Sequence, residues 1–241
     1  MQWNKETIQK IEWNGEITNR EEKEAVAKKV AEKVKDGDII GFGSGSTAFL
    51  ATHAIARKIK EENLRILAIP TSYEVEILCQ NLGIPTTTLN KYKPNWGFDG
   101  ADEVATVSYH MPPPMEQIWV IKGRGGAMFR EKLIMSASSK TYILVDETKL
   151  VDKLGDKFAI PVECVPEALH FVREQLLKLK AIEIELRLAK GKDGPVITEN
   201  GNLILDVKFD EIKPGHEHVI KNIPGVLESG LFIGYEIEVL K

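Results

Sequence analysis

The sequence predicts an α/β fold made of a Rossmann-like, mostly parallel sheet with helices on both faces and a smaller α+β domain of the ferredoxin-like type. Short apolar runs alternate with amphipathic segments over about the first 150 residues, which is typical of parallel strands joined by crossover helices. Further along, a helical segment lies among alternating strands, and Asn200-Gly201 is a strong hairpin signal. We therefore expect three segments: an N-terminal extension over residues 1–20, an α/β domain over 21–154 plus 230–241, and an α+β domain over 155–229.

The elements of the α/β domain follow one another in a regular order. Val26, Val30 and Val34 recur at helical spacing with charges between them, so a helix is predicted over 20–35. IIGF at 39–42 is then a short buried strand, and GSGST connects it to a helix from about 48 to 59. The remaining predicted strands are 65–71, 84–89, one that ends with WGFDG at 96–100, 117–123 and 142–146, and the remaining helices are 73–82 and 128–139.

The α+β domain begins with the strand run FAIPVEC and a helix near 167–179. EIELRLA, the turn Lys192-Asp193-Gly194-Pro195 and VITENGNLILDVKF then predict antiparallel strands. In the first domain, HMPPP at 110–114 predicts a rigid loop.

Composition and charge exclude several classes of protein. Of 241 residues, 43% are hydrophobic and 28% are charged, which is ordinary for a globular chain, and the net charge is -4. Lysine and arginine form no basic stripe, so no nucleic-acid partner is expected. No apolar run approaches the roughly 20 residues that a membrane span needs, and none near the N-terminus has signal-peptide length. We therefore expect no membrane partner and a cytoplasmic location.

No metal site is expected. Cys79 and Cys164 have no CxxC spacing, and the five histidines show no ligand pattern. Buried thiols in a reducing compartment are the simplest interpretation of the two cysteines.

Three polar loops follow predicted strands, at the edge where open parallel sheets bind ligands. The first, Gly43-Ser44-Gly45-Ser46-Thr47, offers backbone N–H groups, hydroxyls and a helix N-terminus, which suit a phosphate. The alternative is a glycine turn that only caps the helix. The loop lacks the lysine of a nucleotide P-loop and is not GxGxxG, so neither ATP nor NAD is indicated.

The second loop, FDGADEV at 98–104, places Asp99, Asp102 and Glu103 in one turn. Solvated acids in an Asx turn are one interpretation. At a strand end, however, crowded carboxylates repel each other unless a cation or hydrogen-bond donors offset the charge. The same crowding separates their pKa values, so that one acid can carry a proton near neutral pH.

The third loop, KGRGGAMFRE at 122–131, supplies the cation. Lys122 leaves a strand end, glycines let the chain turn with its amides facing inward, and Glu131 falls in the first turn of the next helix. A surface ion pair at a helix start is the alternative for Lys122 and Glu131. Together the three loops predict a site for an anionic, hydroxyl-rich molecule, with carboxylates that move protons and a lysine that holds negative charge.

The motifs GFGSGSTA, FDGADE, KGRGGAMFREK and VDETKLVDKLG resemble, in order and context, those of the ribose-5-phosphate isomerase family, type A. The resemblance extends from about residue 22 to residue 231 and includes IPVECVP, TENGNLILDV and IPGVLESGLF. It implies an isomerase of the pentose phosphate pathway that interconverts D-ribose 5-phosphate and D-ribulose 5-phosphate through a cis-enediolate, without a cofactor. It also implies a homodimer or homotetramer whose small-molecule partner is a sugar phosphate.

The resemblance implies roles for individual residues. Glu131 matches the family's proton acceptor, while Lys122 and the loop amides would stabilise the developing oxyanion. Asp99 would move protons between substrate oxygens and assist ring opening, and Asp102 would orient hydroxyls and Lys122. Lys23 aligns loosely with a further lysine of the family. The substrate-binding residues implied are Ser44, Gly45, Ser46, Thr47, Asp99, Gly100, Ala101, Asp102, Lys122, Gly123, Arg124, Gly125 and Lys149.

The chain departs from the family pattern at three places. Ser44 stands where many members have threonine, which keeps the hydroxyl, and Arg124 replaces a glycine of the loop. The stretch 104–120 is longer than the expected link, and we expect the extra length at the rim of the site.

Two rival interpretations share this kind of fold. A sugar-phosphate sensor domain of a transcriptional repressor would need a helix-turn-helix, which the short N-terminal segment does not supply. An amino-sugar phosphate deaminase is expected to use a catalytic histidine, and no histidine lies near the three loops in the sequence.

Overall fold

Six α-helices and twelve β-strands are present in the part of the chain that the structure, a computed structural model, describes: Lys10, residues 12–109 and residues 115–241. The helices are α1 Arg20–Ala31, α2 Ser46–Glu62, α3 Tyr73–Leu82, α4 Met128–Ala137, α5 Leu169–Lys178 and α6 His216–Lys221. The strands are β1 Ile39–Phe42, β2 Leu67–Pro70, β3 Trp96–Gly100, β4 Glu103–Tyr109, β5 Met115–Ile121, β6 Thr141–Leu144, β7 Ile160–Cys164, β8 Ala181–Leu186, β9 Leu203–Phe209, β10 Val226–Ser229, β11 Leu231–Ile233 and β12 Ile237–Leu240.

The chain forms two units. The first contains the described residues up to 100 together with 133–147 and 236–241, and the second contains 101–132 and 148–235. Residues 101–132, 148–154 and 230–235 therefore lie in the second unit, whereas the sequence analysis placed them in the α/β domain.

The first unit is built on a five-stranded sheet in the order β12-β6-β3-β1-β2, in which every neighbouring pair is parallel. The predicted parallel sheet is thereby confirmed. Ile40 and Phe42 of β1 are completely buried in a core that also contains Val30 of α1 and Ile55 of α2. Burial of both strand faces is what favours the apolar runs seen in the sequence.

Helices cover both faces of this sheet. Side chains alternate along a strand, so Gly41 points away from the face that Ile40 and Phe42 share. A Cβ on Gly41 would collide with Ile134 of α4, which shows that α4 packs against the opposite face. Glycine at this position lets the helix approach the strand closely.

Two predicted strands differ in the structure. No strand forms over 84–89, where Thr86 makes only an isolated bridge to Ala68. The predicted strand 117–123 is β5, and it belongs to an antiparallel sheet of the second unit instead of the parallel sheet. An apolar run of this length fits either sheet, and its partner β11 lies far along the chain.

The second unit contains two antiparallel sheets. The stretch 104–120, which is longer than the link expected there, includes most of the paired strands β4 and β5, and β11 completes the three-stranded order β11-β5-β4. The other sheet has the order β10-β7-β9-β8 and runs through the chain as β-α-β-β-α-β with α5 and α6. This is the ferredoxin-like arrangement that the sequence predicts.

Several smaller predictions concern the ends of elements and segments outside the described residues. The first helix ends at Ala31 instead of residue 35, and α5 is preceded by a single 3₁₀ turn over Pro166–Ala168. Residues 1–9 and 11 of the predicted N-terminal extension, and the HMPPP loop, lie outside the described residues. In the described part of the extension, Ile17 joins the core and Trp13 packs against Phe49 of α2 at 5.6 Å between ring centroids.

Both cysteines are free and buried. Cys79 lies in the core of the first unit, and burial raises the pKa of its thiol to about 12. Cys164 lies in the core of the second unit, where burial raises the thiol pKa to about 11.

Among the described residues, no helix has the length and apolar character required to cross a membrane.

Candidate active site

In the first unit, Asp99 lies against the loop that follows β1. The N–H of Gly43 donates to the Phe98 carbonyl at 2.8 Å, and a Cβ on Gly43 would collide with the Asp99 carboxylate. Asp99 Oδ1 accepts the N–H of Ser44 at 3.1 Å and that of Gly100 at 2.8 Å. Only 3% of Asp99 is exposed, so these bonds fix the direction of a buried carboxylate.

The glycine-serine loop leads directly into α2. The helix begins at Ser46, earlier than the predicted position near 48, so Ser46 and Thr47 belong to its first turn. Gly45 precedes the helix with φ 92°, a left-handed conformation that glycine adopts without strain. The N–H groups of a helix start attract anions, and hydroxyl side chains in that turn can add hydrogen bonds to phosphate oxygens.

Lys23 of α1 points toward the same helix start. Its ammonium lies 3.2 Å from the Ser46 hydroxyl, 3.4 Å from the Thr18 hydroxyl and 3.7 Å from Asp146 Oδ2. Lys23 is only 4% exposed and Asp146, which follows β6, only 3%. A buried cation therefore lies beside Ser46, although the sequence aligned Lys23 only loosely with the family.

In the second unit, Lys122 and Glu131 form an ion pair between their Nζ and Oε2 atoms. Lys122 follows β5 and its N–H donates to the Gly230 carbonyl at 2.9 Å, while Glu131 lies in the first turn of α4. Each side chain is 3% exposed. The surface ion pair considered from the sequence is therefore excluded, and the pair is buried.

Asp102 lies next to the start of the same glycine loop. Its N–H donates to the Ile121 carbonyl at 2.8 Å, and its Oδ2 accepts the N–H of Arg124 at 3.3 Å. Burial raises the pKa of the Asp102 carboxyl above its ordinary value of 3.8, and the nearby cations of Arg124, Lys122 and Lys149 offset this only in part. The carboxyl of Asp102 therefore holds a proton more readily than an exposed aspartate does.

Glu103, the third acid of the turn, binds backbone N–H groups and supports the fold. It is completely buried, and its carboxylate accepts the backbone N–H groups of Gly155 at 2.6 Å and Phe158 at 2.7 Å, as well as that of Lys157. The negative charge of Glu103 is thus offset by a loop of the second unit rather than by a ligand.

Lys149 and Arg124 both contact the ring of Phe158. The Lys149 ammonium lies 5.1 Å from the ring centroid and the Arg124 guanidinium carbon lies 5.6 Å from it. Since the backbone of Phe158 is held by Glu103, the acidic turn indirectly positions two of the predicted substrate-binding cations.

The predicted site residues divide between the two units. The first unit contains Ser44, Gly45, Ser46, Thr47, Asp99 and Gly100, and the second contains Ala101, Asp102, Lys122, Gly123, Arg124, Gly125, Glu131 and Lys149.

Sequence reasoning missed two polar residues of the second unit that contact the glycine loop or support it. Arg187 donates to the carbonyls of Gly123 and Arg124, and Asp206 binds the guanidinium of Arg187. Asp206 interrupts the apolar run LILDVKF, which is the signal that could have identified it, whereas Arg187 lies in the alternating segment EIELRLA and gives no such signal.

The histidines described by the structure lie on helices. His53 of α2 packs against Phe49 at 4.7 Å, and His216 of α6 packs against Phe209 at 4.8 Å, both between the centroids of tilted rings. Within the described ranges, no three His, Cys, Asp or Glu side chains are grouped as metal ligands.

The sequence is similar to a known family. A family model described as ribose 5-phosphate isomerase A (phosphoriboisomerase A) matches residues 67–240. Ribose-5-phosphate isomerase A of Methanocaldococcus jannaschii is 42% identical over 219 residues, which cover 90% of this chain and 92% of the relative. The Synechococcus relative of the same name is 44% identical over 216 residues, which cover 88% of each chain.

Solved structures of ribose 5-phosphate isomerases are also similar to this chain. The M. jannaschii ribose 5-phosphate isomerase A structure has a TM-score of 0.86 at 41% identity and covers 93% of this chain and 96% of its own. A D-ribose-5-phosphate isomerase in complex with phospho-erythronic acid has a TM-score of 0.84 at 36% identity, covering 92% of this chain and 95% of its own.

Proposed function

Because this chain belongs to the ribose-5-phosphate isomerase A family, we propose that it interconverts D-ribose 5-phosphate and D-ribulose 5-phosphate. The reaction moves a proton from C2 to C1 of the open-chain sugar and involves no net oxidation. It therefore requires a base, stabilisation of negative charge on oxygen, and a site for the phosphate.

The buried pair of Lys122 and Glu131 is the observation that carries this proposal. Glu131 is the proposed base, which removes the C2 proton and returns it to C1 through a cis-enediolate. Lys122 stabilises the oxygen that becomes negative, together with N–H groups of the loop over Gly123–Gly125. In a site shielded from water, a fixed ammonium acts more strongly on that oxygen than it would in solution.

The two aspartates have separate proposed roles. Asp99, fixed by the N–H groups of Ser44 and Gly100, moves protons between sugar oxygens and assists ring opening. Asp102 orients substrate hydroxyls and Lys122, and its raised pKa suits a group that shares a proton with a hydroxyl.

The phosphate is assigned to the start of α2. The N–H groups of this helix start, the hydroxyls of Ser44, Ser46 and Thr47, and the buried Lys23 beside Ser46 all favour an anion. Lys149 is the further substrate-binding cation that we propose. The phospho-erythronic acid bound by the relative is itself a phosphorylated sugar acid, and its carboxylate has the charge of an enediolate.

The proposal has a direct test. Purified protein is incubated with D-ribose 5-phosphate in deuterated water, and ketose formation and deuterium at C1 and C2 are followed by NMR. We expect ketose 5-phosphate carrying solvent deuterium. Unchanged ribose 5-phosphate would refute the assignment, and a parallel incubation with an amino-sugar phosphate that releases ammonia would favour the deaminase instead.

We also propose a homodimer or homotetramer acting in the cytoplasm. The oligomer is supported by the exposed apolar side chains of the second unit, since Ile182 on the edge strand β8 is 66% exposed and Leu188, just beyond that strand, is equally so. The cytoplasmic location rests on the metabolic role of the family. Light scattering after size-exclusion chromatography should give two or four chain masses, and a single chain mass at micromolar concentration would contradict the proposal.

A further inference from the structure

Arg187 lies immediately after β8, at a position that the sheet fixes. Its N–H donates to the Ile204 carbonyl and its carbonyl accepts the N–H of Val196, both at 2.9 Å. In the ladder of β8 with β9, Glu185 pairs with Asp206, so Arg187 and Asp206 are diagonal neighbours. The backbone thus places the guanidinium beside the carboxylate.

Asp206 binds one edge of the guanidinium. Its two oxygens accept from Nε, at 2.8 Å, and from Nη2 of Arg187. This two-point contact fixes the guanidinium plane and leaves Nη1 on the other edge. The side chain of Arg187 is 15% exposed, so solvent screens the pair only weakly.

Nη1 of Arg187 donates to the glycine loop. It lies 2.7 Å from the Arg124 carbonyl and 3.3 Å from the Gly123 carbonyl. In a trans peptide, the carbonyl of one residue and the N–H of the next point in opposite directions. Holding these two carbonyls therefore turns the N–H groups of Arg124 and Gly125 away from Arg187.

The Asp102 contact supports this geometry. The N–H of Arg124, which follows the bound carbonyl of Gly123, donates to Asp102 Oδ2 at 3.3 Å. Gly123 has φ 93° and Gly126 has φ 86°, so glycines allow the chain to adopt this turn, and a Cβ on Gly125 would meet no atom within 4 Å. The loop is therefore uncrowded at Gly125, whereas the N–H of Arg124 is already bound by the Asp102 carboxylate.

We propose that Arg187, fixed by Asp206, is a positioning residue that holds the carbonyls of Gly123 and Arg124 so that the N–H of Arg124 binds Asp102 and the N–H of Gly125 faces the substrate oxyanion. This inference rests on the proposed isomerase function. Arg187 itself does not touch the sugar, and it acts by fixing amide donors before the substrate arrives. Donors that are already oriented stabilise a transition state without reorganisation during the reaction.

The test compares Arg187→Lys and Asp206→Asn with the unmodified protein. Lysine keeps the charge but cannot bind Asp206 at two points and still reach both carbonyls. We expect kcat to fall by roughly 10- to 100-fold, somewhat less than for the loss of a direct oxyanion donor, with KM for ribose 5-phosphate changed by no more than about threefold. The affinity for phospho-erythronic acid should fall in parallel with kcat/KM, while the affinity for inorganic phosphate should stay unchanged.

Lys208→Gln is the matched control, because Lys208 pairs with Glu183 at 2.7 Å across the same two strands. It should retain the kcat of the unmodified protein. Adding Asp206→Asn to Arg187→Lys should lower kcat little further, because the two side chains act as one unit. If Arg187→Lys does not fold, Asp206→Asn alone decides the question.

The outcomes separate this inference from the proposed function. An unmodified protein that does not convert ribose 5-phosphate refutes the function and the inference with it. If the unmodified protein is active and folded Arg187→Lys or Asp206→Asn keeps kcat within about twofold, the inference is overturned while the function stands. An equal loss of affinity for inorganic phosphate would also overturn it, because that would indicate general disruption.

Discussion

The Lys122 ammonium and the Glu131 carboxylate form an ion pair in which each side chain is only 3% exposed. A buried pair of this kind has a desolvation cost that its mutual attraction offsets only if both charges are present. We therefore expect substitution of Glu131 to affect the reaction and substitution of Lys122 to affect the stability of the fold.

Glu131→Gln should stop the removal of the C2 proton. Glutamine keeps the shape of the side chain but cannot accept the proton, so kcat should fall by about 10²- to 10⁴-fold or more. Incorporation of solvent deuterium at C2 checks this, with Glu174→Gln on the exposed face of α5 as the control. Inorganic phosphate should still bind. Deuterium exchange at the unmodified rate would remove Glu131 from its role as base.

Lys122→Met should destabilise the fold, because it leaves the Glu131 carboxylate buried without its ammonium. The expected loss is about 3–5 kcal/mol in the free energy of unfolding. The double variant with Glu131→Gln should lose much less than the sum of the two single changes. Thermal unfolding of all four proteins measures this coupling, and additive losses would show that the pair does not form in solution.

Glu103→Gln should act on stability and spare the chemistry. An amide cannot accept all three N–H groups of Gly155, Lys157 and Phe158, and its own NH₂ faces donors, so about 2–3 kcal/mol should be lost. Urea unfolding gives this value. In the folded variant, kcat should stay within a few-fold of normal, and a loss as large as that for Glu131→Gln would assign Glu103 to the reaction.

Asp102→Asn should change how stability depends on pH. The folded state raises the pKa of Asp102 above 3.8, so between the unfolded and folded pKa values the folded protein binds more protons than the unfolded chain. The contribution of Asp102 to the free energy of unfolding therefore falls as pH rises through that window. Above the folded pKa, the free energy of unfolding is lowered by the full cost of burying the ionised Asp102 carboxylate.

Asparagine removes that penalty. At pH 7 the variant should unfold at a higher temperature than the unmodified protein, and the advantage should vanish as pH falls toward 3.8. Asp193→Asn, at an exposed turn, is the control. An advantage that does not depend on pH would contradict the explanation by burial.

The local order of the elements could be predicted from the sequence. Helix α3 over 73–82 and strand β1 over 39–42 were predicted with their bounds, since Ser72 caps α3 by accepting the Val75 N–H and a short apolar run marks β1. Sheet membership could not be predicted for β5, because its partner β11 is brought beside it only by the folded chain.

In the site, too, contacts between residues close in the sequence could be predicted, and contacts between distant residues could not. Lys122 and Glu131 are nine positions apart, and a strand end followed by a glycine loop and a helix start is enough to predict that they meet. The environment of Glu103 could not be predicted, since its donors come from residues 155–158. The hydrogen bonds from Arg187 to the glycine loop could not be predicted either, because Arg187 lies beside a sheet about sixty residues later in the chain.

The raised thiol pKa values of Cys79 and Cys164 leave almost no thiolate at neutral pH, and burial keeps alkylating reagents away from both sulfurs. A cysteine introduced on the surface would thus be the one group that maleimide dyes modify, with no need to remove native thiols first. With one such cysteine in each unit, a donor and an acceptor dye could be attached to the same chain. The distance between the two dyes could then be followed while sugar phosphate is added.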